Sequence, residues 1–114
     1  MSFIKTILTL MTGQADPLQE LNAVVGDIAN LSLDSNPTTG YSWMIKSLPN
    51  SLILVDSSYT AHETGLLGSG GVHTYTFLGQ RPGNTTLELI YGQPWNELSW
   101  NQKRVPVVVG DRKN

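Results

Sequence analysis

The chain has 114 residues, no cysteine and a formal net charge of −2. That length fits one domain with its own core, and the missing cysteine removes disulfides, thiol nucleophiles and cysteine-ligated metals. Charges of both signs are scattered, without the clustered Lys and Arg of a nucleic-acid footprint; Lys103, Arg104, Arg112 and Lys113 group together only as a solvated strand end and tail.

Residues 1–17 come first. Ile4, Ile7, Leu8, Leu10 and Met11 form a short apolar run broken by Thr6 and Thr9 and followed by Gly13-Gln14-Ala15. The run is far below membrane-spanning length. It reads as an N-terminal arm or an added strand, with a cleaved targeting segment as the alternative. One domain is expected over 18–110, followed by a short tail at 111–114.

Within that domain no stretch carries a helical period. Ala29, Leu31 and Leu33 alternate with Asn30, Ser32 and Asp34, and Tyr41, Trp43 and Ile45 alternate with Ser42, Met44 and Lys46. Further on, Tyr75 and Phe77 alternate with Thr74 and Thr76, and Leu87, Leu89 and Tyr91 with Thr86 and Glu88. Period two of this kind marks half-buried strands. Residues 105–109 are strongly β-branched, and Pro106 predicts an edge or a bulge because proline cannot donate to a ladder. Gly, Pro, Asn and Asp break the pattern at 34–40, 49–51, 61–71, 79–84 and 92–102. Short strands and turns at this spacing predict an all-β fold, a small antiparallel β-sandwich of six to eight strands with no disulfide. If strands alternate in direction, the breaks at 34–40, 61–71 and 92–102 fall on one rim and the other two on the opposite end. A shared rim is how sandwich domains build binding surfaces.

The rim loops carry the chemistry worth naming. In Asn36-Pro37-Thr38-Thr39-Gly40, the residue before proline is held extended, proline fixes its own φ, and glycine accepts a positive φ. Such a stiff loop loses little entropy when pressed into a partner. The same residues also fit a tight connection in which Asn36 makes an Asx-turn and both threonines face water. Gly68, Ser69, Gly70 and Gly71 permit close backbone approach, but no G-x-x-x-x-G-K-[ST] and no following helix support a phosphate cradle. Leu66 and Leu67, apolar in a long loop, favour a contact surface over a plain hairpin connection. Trp95, fixed by Pro94, suits an interface anchor as well as a cap on the core. Trp100 is expected to pack at the loop base and Trp43 in the core. His62 and His73 lack the further ligands a metal would need, and Ser69, His73 and Asp56 carry no local signature of a catalytic triad. Asn30-Leu31-Ser32 and Asn84-Thr85-Thr86 are glycosylation sequons, relevant only to a secreted chain.

Three of these blocks carry a family resemblance. Asn36-Pro37-Thr38-Thr39-Gly40-Tyr41-Ser42-Trp43 resembles the N-P-T-T-G-[YF]-x-W loop of the chagasin family, inhibitors of papain-like cysteine proteases. Gly65-Leu66-Leu67-Gly68-Ser69-Gly70-Gly71 is similar to that family's glycine-rich loop, and Tyr91-Gly92-Gln93-Pro94-Trp95 to its R-P-W loop, with Gln93 where arginine is usual. Ala23-Val24-Val25-Gly26-Asp27 resembles the strand before the first loop, so the likeness runs from about Leu18 to Val109. It implies an immunoglobulin-like sandwich and a non-enzymatic, reversible, competitive inhibitor, active as a monomer, that needs no cofactor or metal. Its implied partner is a papain-like, cathepsin-type cysteine protease rather than a nucleic acid or a membrane. Asn36, Pro37, Thr38, Thr39 and Gly40 would enter the cleft over the catalytic cysteine–histidine pair. Leu66, Leu67, Gly68, Ser69, Gly70 and Gly71 would follow one wall, and Gln93, Pro94 and Trp95 the other. An adhesion or carbohydrate-binding sandwich module using the same rim is the competing expectation.

Overall fold

Alternating apolar residues need a second layer to cover them, and the chain supplies it by folding into two facing sheets. The structure is a computed structural model and describes residues 19–63 and 70–112. Its strands are β1 (Leu21–Val24), β2 (Ile28–Ser35), β3 (Ser42–Ser47), β4 (Leu52–Ala61), β5 (Gly71–Gly79), β6 (Gly83–Gly92) and β7 (Asn101–Gly110). One sheet has the order β1-β7-β6-β3 and the other β2-β5-β4. Pairing is antiparallel except between β1 and β7, which run parallel. Among the described residues the helical elements are two single 3-10 turns, Pro37–Thr39 and Glu97–Ser99.

The inward residues match the alternation. Leu31 and Leu33 of β2, Tyr75 and Phe77 of β5, Leu87 and Leu89 of β6, and Val105, Val107 and Val109 of β7 form one buried cluster with Leu21 and Leu52. Phe77, Leu87, Leu89 and Val105 are completely buried, each contributing about 1.5–3 kcal/mol of transfer free energy. Trp43 and Ile45 of β3 pack against this cluster while only partly buried. Among the described residues β4 is an edge strand, and a register shift between Leu54 and Asp56 bends it, a common way to blunt an edge against further pairing.

Two elements differ from the sequence pattern. β7 begins at Asn101, inside the stretch expected to be loop, because Asn101, Gln102 and Lys103 pair with Tyr91, Ile90 and Leu89 of β6. Pro106 lies at neither an edge strand nor a bulge, since β7 is an inner strand of its sheet. It sits opposite Thr86 of β6, and the β1 ladder starts one residue later at Val107. A proline there interrupts no bond on the β1 side.

The strand directions decide where the connections go. Ser35 faces Gly71, and Gly71 faces Ala61, so the β2–β3 and β4–β5 connections leave the same end. Ser42 faces Gly92 and Tyr91 faces Asn101, which brings the β6–β7 connection there too. The β1–β2, β3–β4 and β5–β6 turns occupy the far pole.

Candidate functional site

The first rim loop, residues 36–40, is locked by its own side chains. Asn36 is the N-cap of the Pro37–Thr39 turn, with φ −136° and ψ 85°, the extended conformation expected before proline. Its Oδ1 accepts from the Thr38 backbone N–H at 3.3 Å and from the Thr38 hydroxyl at 2.5 Å. Its carbonyl accepts from the Thr39 N–H at 3.3 Å and from the Thr39 hydroxyl at 2.8 Å. The Asx-turn is therefore present, yet the threonines do more than face water. Each donates its hydroxyl proton back to Asn36, which leaves both side chains exposed but fixed. Gly40 closes the turn, donating to the Pro37 carbonyl at 2.9 Å with φ +83°. Only glycine suits this position, because a Cβ would meet Cη2 of Trp95 at 2.7 Å in a backbone conformation already unfavourable to side chains.

Beneath this loop lies an aromatic platform. The Asn36 N–H donates to the Tyr91 hydroxyl at 3.0 Å, and Trp43 Nε1 donates to the Asp34 carbonyl at 2.9 Å. The Tyr91 ring stands 4.8 Å from Trp43 and 5.3 Å from Tyr41, centroid to centroid. Tilted pairs at such separations add to the burial term. Sequence reading placed Trp43 and Tyr91 on strands but missed Tyr91 as the support of the loop. The signal available was an aromatic residue directly before Gly92.

The third loop, residues 93–100, wraps around the Gln93 backbone. The Gln93 carbonyl accepts from Asn96 N–H at 3.0 Å and from Trp100 Nε1 at 2.8 Å, and its N–H donates to Ser99 Oγ at 2.8 Å. Asn96 caps the Glu97–Ser99 turn, its Oδ1 accepting from Leu98 N–H at 3.2 Å. Trp100 thus packs at the loop base, as the sequence suggested. Trp95 is 73% exposed, with one edge of its ring resting on Gly40. Leu98, which sequence reading passed over, is 97% exposed in the same loop. A lone leucine between Glu97 and Ser99 was the available sign.

The second loop is described only at its stem. Leu66, Leu67, Gly68 and Ser69 lie outside the described residues. His62 N–H donates to the Gly70 carbonyl at 2.9 Å, and Gly70 lies against the Ser35 carbonyl and the Asn36 side chain. Gly70 and Gly71 therefore adjoin the first loop. Residues 36–40, 70–71 and 93–95 share one rim, above an open cavity of about 690 Å³ lined in part by Ser35, Asn36, Trp43, Gly70, Tyr91 and Asn101.

Among the described residues the titratable groups form no catalytic arrangement. His73 Nε2 lies 2.7 Å from Ser57 Oγ, and burial pushes its pKa down. Tyr75, its ring tilted against that of His73 with centroids 4.5 Å apart, has its pKa raised by burial. Asp56 sits opposite Thr76, whereas Ser57 sits opposite Tyr75, so strand alternation turns Asp56 to the sheet face away from His73. Ser69 is outside the described residues. Among the described residues no group of His, Asp and Glu could hold a metal ion.

Comparison with known proteins agrees with this architecture. The family profile described as Chagasin family peptidase inhibitor I42 matches residues 22–109. The chain is 33% identical over 92 residues to Chagasin of Trypanosoma cruzi, across 76% of this chain and 84% of that protein. Its fold resembles that of the cysteine protease inhibitor EhICP2 from Entamoeba histolytica, with a TM-score of 0.61 and 24% identity over 83% of this chain and 96% of the other. It also resembles PbICP-C, solved in complex with falcipain-2, with a TM-score of 0.62 and 19% identity over 81% of this chain and 88% of the other. These last two likenesses concern the fold. Together with a profile that spans both sheets and all three rim loops, the relationship to Chagasin shows that the chain belongs to the chagasin family of peptidase inhibitors.

Proposed function

We propose that this protein is a reversible, competitive inhibitor of papain-like cysteine proteases that presents its loop rim to the active-site cleft. Residues 36–40 are the wedge. Residues 66–71 and 93–95 are the flanks. The observation that carries the reading is the state of the wedge: a proline-containing turn, closed on itself, standing beside an exposed tryptophan whose ring edge rests on Gly40. That combination matches what an inhibitory loop needs, namely shape without conformational freedom.

The same geometry accounts for resistance to cleavage. Hydrolysis needs a carbonyl placed within attacking distance of the thiolate and oriented toward an oxyanion hole. In this wedge the carbonyls of Asn36, Pro37 and Thr39 accept hydrogen bonds from Thr39, Gly40 and Gln93 respectively. The 3-10 turn curves the backbone away from the extended form in which a strand-like substrate offers its carbonyls. A cleft filled by such a turn is blocked without being given a substrate.

A contact of about 1,600 Å² in total would suffice for tight binding by preorganised loops. Family membership supports the inhibitory role, and the complex of PbICP-C with falcipain-2 supports the class of partner. The test is a titration against papain and a panel of cathepsin-type enzymes using a small peptide substrate. Competitive inhibition at nanomolar to low-micromolar concentration, with the inhibitor recovered intact by mass, is the expected result. Inactivity against every enzyme of the panel would overturn the reading and leave the adhesion alternative.

A further inference from the structure

We propose that Gln93 is a positioning residue, a neutral strap that ties the third loop to the wedge and sets the distance between Trp95 and the turn before any enzyme is met. The proposal rests on the inhibitory reading above and concerns how that rim is held in shape.

Gln93 makes two separate sets of bonds. Its backbone organises the third loop internally, through Asn96, Ser99 and Trp100. Its side chain points elsewhere. Nε2 donates to the Thr39 carbonyl at 3.2 Å, reaching a residue 54 positions away in the chain. Oε1 accepts from Asn96 Nδ2 at 3.3 Å, which holds the amide with its nitrogen toward the wedge. Asn96 is also the cap of the Glu97–Ser99 turn, so the strap continues into the loop that carries Trp95 and Leu98. A Cβ on Gly40 would also contact the Gln93 amide nitrogen at 3.7 Å, so Gln93 and Trp95 close on the same turn.

The consequence is that both polar atoms of the Gln93 side chain are engaged within the rim. At this position the side chain acts on the inhibitor's own geometry and adds no charge to the contact. Wedge and flank then present themselves as one body, and the ordering cost of binding is lowered. Because the backbone set does not depend on the side chain, changing the side chain tests the strap without dismantling the loop.

The experiment compares Gln93→Glu with wild type, using a papain-like enzyme that keeps its activity in acid, and takes the ratio of inhibition constants at each pH. A glutamate carboxylate cannot donate to the Thr39 carbonyl, whereas a protonated carboxyl can. Inhibition by the variant is expected to be about tenfold weaker than wild type near pH 7. It should recover toward a ratio of one at about pH 4, below the ordinary glutamate pKa. Gln93→Met, of similar length but with no donor, should be weak at both. The thermal midpoints of all three should be close, since the strap is on the surface. The geometry is read separately by NMR. The amide signals of Thr39 and Gly40 in Gln93→Glu should move with the carboxyl titration, while those of wild type stay flat. Flat signals in the variant, or a ratio near one at every pH, would overturn the strap. A wild-type protein that inhibits nothing would instead overturn the inhibitory reading on which it rests, and with it the positioning role.

Discussion

The two poles of the sandwich are held together differently. At the far pole, neighbouring segments are joined mainly through main chain. Gly26 N–H donates to the Gly79 carbonyl at 2.9 Å, Gly79 N–H to the Asp27 carbonyl at 3.0 Å, and Gln80 N–H to the Ser51 carbonyl at 2.7 Å. Ser51 itself is 2% exposed, and its hydroxyl meets Thr85 at 3.0 Å. At the rim, the loops reach one another through side chains, with Tyr91 on Asn36, Gln93 on Thr39 and Trp95 on Gly40. Main-chain bonds are available to nearly any sequence, so the far pole is set by the fold. The rim is set by particular residues, so single substitutions can reshape it while the sandwich stays folded.

Damage at the two poles should therefore separate. The largest effect is expected from Gly79→Ala. Its Cβ would stand 2.6 Å from the Val24 carbonyl oxygen, a backbone atom that cannot turn aside. A loss of about 2–4 kcal/mol in denaturant unfolding is expected, with the inhibition constant of the folded fraction unchanged. Stability and inhibition falling together would show the poles to be coupled. Trp95→Ala should do the reverse. It should lose about 2 kcal/mol of binding, about 30-fold in the inhibition constant, with an unaltered thermal midpoint. Full inhibition by that variant would return Trp95 to a packing role.

Smaller effects sharpen the same contrast. Thr38→Ala combined with Thr39→Ala removes both hydroxyl ties to Asn36 and should weaken inhibition by about 1 kcal/mol, leaving stability nearly constant. A large drop in melting temperature with unchanged inhibition would show that these threonines serve the fold. The smallest effect concerns His73, which lies opposite Leu33 and Tyr59 near the rim end of β5. Burial holds its folded pKa below the ordinary imidazole value, so the unfolded chain takes up the proton more readily. The associated stability is fully present above the unfolded pKa and is lost as pH falls through the folded one. The melting temperature should decline slightly from about pH 7 to about pH 5, and His73→Gln should flatten that decline. An equally steep decline in the variant would assign the pH response to other groups.

The scaffold was largely legible in the sequence because each strand repeats a local pattern. Leu31 and Leu33, or Leu87 and Leu89, announce an inner face within a few residues, and counting strands then places the loops on one end. The polar start of β7 was hidden, since Asn101, Gln102 and Lys103 are strand only because β6 lies beside them. Pro106 misled for a related reason: whether its missing donor matters depends on where β1 begins. At the rim the family motif singled out residues 36–40, the proposed wedge. Its internal bonds are local, but those that tie it to the rest of the rim join Asn36 to Tyr91 and Thr39 to Gln93, 55 and 54 residues apart. No local pattern encodes such meetings. The inward turn of the threonine hydroxyls was equally hidden, because a Thr-Thr pair after proline is compatible with either orientation.

The last strand finishes away from the loops. After β7, Arg112 is clasped by the Asp27 carboxylate and by the Val25 carbonyl, at the pole opposite Trp95. A tether attached beyond that clasp would hold the molecule by its heel, with the loop rim turned outward. Two copies joined there by a flexible linker could engage two enzymes at once, or a surface bearing many, and gain avidity from linker length alone.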